Sequence, residues 1–591
     1  MAGLPAAQLL LDGFDVEADD LDKGAALLWA AKNGYLEAVR LLIRDKKADV
    51  AVRDGNGRAA LHFAAQYGHE TVVELLIEEK ADIEAFDKGR QNVLGVAAEY
   101  GREAVVRLLL DNNVDVAVQS GTGSTALSSA ARFGHEGVVR LLIDGKANIE
   151  EPNKDGLTPL CLAAQRGHEA VARLLIDAKA NIEGTGKVGI TPLGMATKEG
   201  HEAVVRLLID KKANVAAKYQ DTLTPLLLAA GSGHEGLVRL FLEKKEEEEE
   251  EETDVMAGYT DEWMALCCAA RNGHEAVAQL LIDKKVDITV DDGSGNGWTL
   301  LHVAAYYGQE GVARLLIENK ANPAAKNQEG LTVLAVATAH GQEAVVRLLL
   351  DKNVDITAKG NNGSPALHIA AINGHEEVAR LLIEKKANIA AEDELGFTAL
   401  HYAARNGHEA VVRLLIRNEA NITATTESRV TPLVLAAAQG REAIVQLLLE
   451  KGDVVLEDES GLIALFFAVQ NGHEAVVRQL VDKNVDIMEQ DEHGWTALHH
   501  AVKNRHEAVV QLLIDKMADI TVEDESGCTA LHLAVQSGQE STVQLLMQKE
   551  VDIKAKKKDG LTLALEAASG QDAVARLGEE KADTTTEMAM D

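Results

Sequence analysis

The sequence predicts an all-α solenoid of stacked helix pairs, and three observations predict it. One leucine recurs every 33 residues, at Leu94, Leu127, Leu160, Leu193 and Leu226, and the phase resumes at Leu334, Leu367, Leu400 and Leu433. The same helix-start and turn signals return at each step. At 591 residues the chain also outgrows a single hydrophobic core, which leaves either several domains or a repeat array.

In chain order, residues 1–23 read as a degenerate half repeat that caps the array. Their apolar patch lacks a basic start and turns acidic at once, unlike a secretory signal. Residues 24–245 read as a first sub-array, and the unit beginning at Asp155 shows its logic. Thr158 followed by Pro159 is a helix start, a hydroxyl cap with proline at the first helical position. Leu160, Ala163 and Ala164 supply a short apolar face, and Gly167 permits a tight turn. Glu169 and Arg173 stand four residues apart in the order that suits the helix dipole. Val171, Leu174 and Leu175 give the second buried face. Helices this short are marginal alone, so stacking on the next pair must stabilise them.

Glu246 to Glu252 is an unbroken run that stretches one step from 33 to 40 residues, from Leu226 to Leu266. It reads as a solvated loop insertion. Residues 253–553 read as a second sub-array, with a small insertion at Gly293 to Gly297 and the loss of one residue before Leu465, Leu498 and Leu531. Residues 554–591 read as a degenerate capping repeat and tail.

The formal net charge is −35, a field that repels phosphate polymers and favours a basic or neutral protein partner. Four cysteines, Cys161, Cys267, Cys268 and Cys528, follow no zinc or disulfide spacing, which points to a reducing compartment, cytosol or nucleus. Vicinal Cys267 and Cys268 fit small buried packing positions. No apolar run approaches a membrane span, so no membrane insertion is expected.

The segment GHEAVVRLL stands at Gly200 to Leu208 and again at Gly407 to Leu415. With GLTPLCLAAQRGH from Gly156, GFTALHYAARNGH from Gly396 and GWTALHHAVKNRH from Gly494, the pattern resembles the ankyrin repeat, in about 17 units from Gly24 to Asp583. The resemblance, to a fungal-type array, implies antiparallel helix pairs with hairpin-like loops along one edge. It also implies that the recurrent histidines serve structure, bonding loops and neighbouring units. The family usually has glycine just after the second helix, where φ is positive. Here Lys80, Asn113, Lys146, Lys179, Lys212 and Asn353 stand there, at a cost of about 1 kcal/mol per lysine.

The resemblance further implies which positions face a partner. They are the residue before the helix-starting threonine and the two residues before the turn glycine. Trp263, Trp298, Phe397 and Trp495 are assigned to the first position. Tyr67, Tyr100, Phe133, Tyr306 and Tyr307 hold the second. Arg166, His340, Arg405 and Asn406 share that surface. Aromatic rings anchor interfaces because they bury large areas with few rotatable bonds.

Catalysis and cofactors find no support. GTGKVG at Gly184 to Gly189 follows a polar inter-repeat segment instead of the buried strand a dinucleotide fold needs. The locally dense His499, His500 and His506 lack the partners of a zinc site. The expected role is a monomeric scaffold or adaptor binding proteins on a concave face, without metal or nucleic acid. The alternative is the regulatory or recognition arm of a larger receptor or enzyme whose effector domain lies outside this chain.

Overall fold

A computed structural model describes residues 20–185, 189–219, 222–248, 260–291, 296–358, 364–451 and 459–557. Among them the chain forms 32 helices in sixteen consecutive pairs, from Asp20–Asn33 with Leu36–Arg44 to Ala530–Gln536 with Glu540–Lys557. The seventeenth unit expected from the sequence lies outside the described residues. The chain divides into two units, one ending at Ile288 and the other beginning at Thr289. Within each unit, first helices pack on first helices of the adjoining pair, and second helices pack on second helices.

The unit from Asp155 shows why the pairs form. Thr158 caps Pro159–Arg166, its hydroxyl accepting the Cys161 amide, with proline in the first turn. Gly167 ends that helix in the left-handed conformation, at φ +77°. Glu169–Asp177 follows, and Arg173 pairs with Glu169 at 2.6 Å. Leu160 and Leu175 are fully buried, each contributing about 1.5–3 kcal/mol. The same cap recurs at Thr191, Thr224 and Thr431, each also followed by proline.

Loops between pairs are hairpins carrying isolated antiparallel bridges, such as Arg53 to Ala59 and Lys326 to Thr332. Several tips also bond the tip before them. Lys88 N donates to Asn56 O at 2.9 Å, and Lys154 N donates to Thr122 O at 3.0 Å. The lysines and asparagines expected at positive φ hold it, from Asn113 and Asn353 at +58° to Lys179 at +77°.

Two helices overrun their repeat. Glu235–Glu248 continues into the glutamate run, because a Lys-Lys-Glu sequence propagates helix and carries no turn signal. The insertion therefore begins as helix and not as loop, while Glu249 to Glu252 lie outside the described residues. Glu540–Lys557 likewise runs into the segment expected to open the C-terminal cap, whose remainder is outside the described residues. So are residues 1–19 of the N-terminal half repeat, 186–188 of GTGKVG and 293–295 of the glycine-rich insertion.

Candidate protein-binding face

Two residues precede the turn at the end of every first helix. The structure shows what holds them in place. A histidine at the start of the next pair's second helix reaches back and donates from Nε2 to the carbonyl of the first of the two. His69 bonds Lys32 O at 3.0 Å, His135 bonds Glu99 O at 2.8 Å and His168 bonds Arg132 O at 3.0 Å. His201, His234, His274, His375, His408, His473 and His506 repeat the bond. A carbonyl can only accept, so Nε2 carries the proton. Where histidine is absent, another donor takes the role. Arg102 bonds Gln66 O at 2.9 Å, Gln342 bonds Tyr306 O at 3.2 Å and Arg441 bonds Arg405 O at 3.2 Å. The backbone of this strip is thus pinned repeat by repeat.

A second histidine set fixes the helix starts. His401 Nδ1 accepts the Thr398 amide at 3.0 Å and sits 2.9 Å from its hydroxyl, while Nε2 donates to Val430 O of the next hairpin at 3.1 Å. His499 does the same with Thr496 and Cys528 O. Burial holds His62, His401 and His499 below the ordinary imidazole value.

The side chains of the strip project outward. In the first unit Tyr67, Tyr100 and Phe133 come from three successive repeats and all are exposed, Phe133 to 48%. Arg166 is exposed in the following repeat. Lys32 lies over the Tyr67 ring at 5.8 Å, which shows that strip positions of neighbouring repeats adjoin.

The second unit gathers aromatics. Trp298 meets Tyr306 at 5.6 Å between centroids, Tyr306 meets Tyr307 at 4.8 Å, and Tyr306 meets His340 of the next repeat at 4.0 Å. Both tyrosines remain exposed, and Trp298 is half-buried. Burial and the neighbouring His375 hold His340 below the usual imidazole value.

Further along, Phe397 packs on Tyr402 at 5.7 Å, beside exposed Arg405. Asn406 is not free for a partner in the same way, because its side chain donates to Ile372 O at 2.8 Å. Trp495 contacts His500 at 5.2 Å, with Lys503 over its ring at 5.9 Å.

Trp263 is a correction. It is 6% exposed and sits in the first turn of Asp261–Asn272, its amide donating to the Thr260 hydroxyl. This helix starts several residues before the usual point, so Trp263 faces the packing and not the loop edge. Cys267 and Cys268 are half-buried instead of buried, and burial pushes the Cys268 thiol up.

Two polar pairs went unread in the sequence. Tyr402 donates to Asp393 at 2.5 Å, and His500 pairs with Asp491 at 2.8 Å. Burial and then Asp393 push Tyr402 up to about 12. Both carboxylates anchor hairpins by accepting backbone amides, of Phe397 and Leu395 or of Trp495 and His493. They are one device, ninety-eight positions apart, visible only once the repeats are aligned on one another.

Charge separates the two faces. On the outer helices Arg140, Arg173 and Arg206 each pair with a glutamate four residues earlier, at 2.9, 2.6 and 2.6 Å. On the inner strip of the first unit, Lys32, Arg132, Arg166 and Lys198 make no ion pair among the described residues. The net charge of the chain therefore does not describe this face.

Among the described residues no cluster of three or more His, Cys, Asp or Glu side chains could hold a metal, and no helix is long and apolar enough to cross a membrane.

The family described as "Ankyrin repeats (3 copies)" matches residues 1–87, 94–185, 183–254, 249–327, 266–360, 319–393, 386–458, 433–524 and 518–588. A curated protein described as a putative ankyrin repeat protein, from Rickettsia bellii (strain RML369-C), is 35% identical over 75 residues. That stretch is 12% of this chain and 41% of the relative, so the chain spans less than half the length of the curated protein it matches.

Proposed function

The chain belongs to the ankyrin-repeat family, whose repeats are protein-interaction modules, and on that premise we propose that it is a scaffold or adaptor holding protein segments on the inner-helix strip. The observation that carries this reading is the cluster of Trp298, Tyr306, Tyr307 and His340. Its rings touch one another at 4.0–5.6 Å, yet both tyrosines stay exposed. Burying these rings only against each other leaves their outer faces in water, a cost that a partner relieves. Rings held on pinned backbone also lose little freedom on binding, which favours an anchor role.

The test is comparative affinity capture from the native cell extract with the intact chain and with Trp298→Ala, Tyr306→Ala, Tyr307→Ala. The reading expects partners that the intact chain recovers and the variant loses, at unchanged helical content. An identical recovered set from both would refute this face as the anchor.

A further inference from the structure

We propose that the inner strip of the first unit takes an acidic, extended protein segment, with carboxylates about every third residue. The inference rests on the reading of this strip as the binding face, and it assigns the partner's chemistry.

The charge on the strip is the reverse of the charge on the chain. The whole sequence carries 59 lysines and arginines against 94 aspartates and glutamates. The two positions before each turn in the first unit carry five cations, Lys32, Arg132, Arg166, Lys198 and Arg271, against two carboxylates, Glu99 and Glu199. One of those carboxylates is engaged, since Glu99 accepts from Gln91 at 2.7 Å. The strip of the second unit holds Arg405 and Lys503 and no carboxylate.

Pairing sharpens the contrast. Arginines of the outer helices are neutralised within their own turn, as in Arg140 with Glu136 and Arg173 with Glu169. Arg132, Arg166 and Lys198 come from three successive repeats, are exposed and have no carboxylate in ion-pair range among the described residues. Their carbonyl frame is fixed, because His168 and His234 bond Arg132 O and Lys198 O at 3.0 Å. Cations on a fixed backbone and without a carboxylate partner are a preorganised site for carboxylates, which the arginine fork grips in two bonds.

Spacing sets the form of the ligand. Packed helices lie about 8–10 Å apart, and an extended peptide of the polyproline-II type advances ~3.1 Å per residue and returns every third side chain to one face, so one repeat spans about three residues. Side chains at every third position then meet successive cations. Beyond them lie the exposed rings of Phe133 and Tyr100, which suit apolar side chains of the same segment. A phosphate polymer is disfavoured, because the strip offers few cations inside an acidic field.

The test uses the full chain and an end-labelled peptide with three glutamates and then three leucines, each three residues apart on a serine–glycine background. A twin peptide has glutamine for glutamate. Binding is read by fluorescence anisotropy at low salt. One variant carries Arg132→Gln, Arg166→Gln and Lys198→Gln. The control carries Arg140→Gln, Arg173→Gln and Arg206→Gln, with the same change in net charge on the outer face.

The inner variant is expected to weaken the glutamate peptide about tenfold, from three exposed pairs, and the control to leave it unchanged. Equal weakening by both variants overturns the proposal, since only the overall field would then act. If the twin binds as tightly as the glutamate peptide and still responds to the inner variant, the acidic assignment fails while the binding face stands. Tighter binding of single-stranded poly(U), abolished by the inner substitutions, assigns the strip to phosphate polymers and overturns the proposal too.

Discussion

His168 covers Gly134 so closely that a Cβ added to the glycine would stand 2.5 Å from Nδ1, while Nε2 of the same ring bonds Arg132 O at 3.0 Å. One imidazole thus closes a turn and fixes a residue of the inner strip. The arrangement recurs with His201 over Gly167 and His506 over Gly472.

Gly134→Ala should therefore be more costly than an alanine at a turn without this neighbour. Gly134 has φ +81° and a ring against it, whereas Gly538 has φ +66° and open space around it. The left-handed conformation alone costs about 1–2 kcal/mol with a Cβ. Urea unfolding should show that loss for Gly538→Ala and a clearly larger one for Gly134→Ala. Equal losses would mean that the ring moves aside freely.

His168→Gln should be mild and His168→Ala severe. Glutamine already makes the equivalent bond at Gln342. Removing the donor strands Arg132 O, with a loss on the order of 1–2 kcal/mol. If both substitutions cost the same in urea unfolding, ring packing and not the bond holds the joint.

Stability should fall as pH drops below about 6.5, the unfolded imidazole value. Burial depresses His401 and His499 in the folded chain, so the unfolded chain takes up protons first and gains free energy. The loss runs from the unfolded value down to the folded one and then stops for these groups. A second loss follows near the carboxylate range. There burial would raise Asp393 and Asp491, but their amide, Tyr402 and His500 partners outweigh it and hold both low. Chemical unfolding at stepped pH should show both phases, and His401→Asn with His499→Asn should flatten only the upper one.

Lys80→Gly, Lys146→Gly and Lys179→Gly should each stabilise the chain. All three lysines hold positive φ, at +63°, +64° and +77°. Relief of that strain exceeds the added freedom of the unfolded chain by about 0.5 kcal/mol per site. The sites are one or two repeats apart and share no partner, so the gains should add. A triple variant no more stable than the parent in thermal unfolding would refute the strain.

These lysines also show what the sequence made legible. Their phase in the repeat was enough to place positive φ at each, because the turn geometry is dictated by the helix end and not by the residue. Thr158 with Pro159 was legible for the same reason, being a local cap. Trp263 was misplaced because its helix begins early, at a threonine outside the usual phase. The pinning bond was legible as histidine but hidden at Arg102, Gln342 and Arg441, where only geometry shows that the donors are equivalent. The sign of the inner strip was hidden by summing charge over the chain, when the informative sum runs over one repeat position.

The back-reaching bonds each span a single joint, as between His168 and Arg132 or His201 and Gln165. The molecule is therefore fastened like a row of buttons. Pulled from its ends, it should open one seam at a time, each rupture leaving the neighbouring fastenings closed and ready to guide refastening.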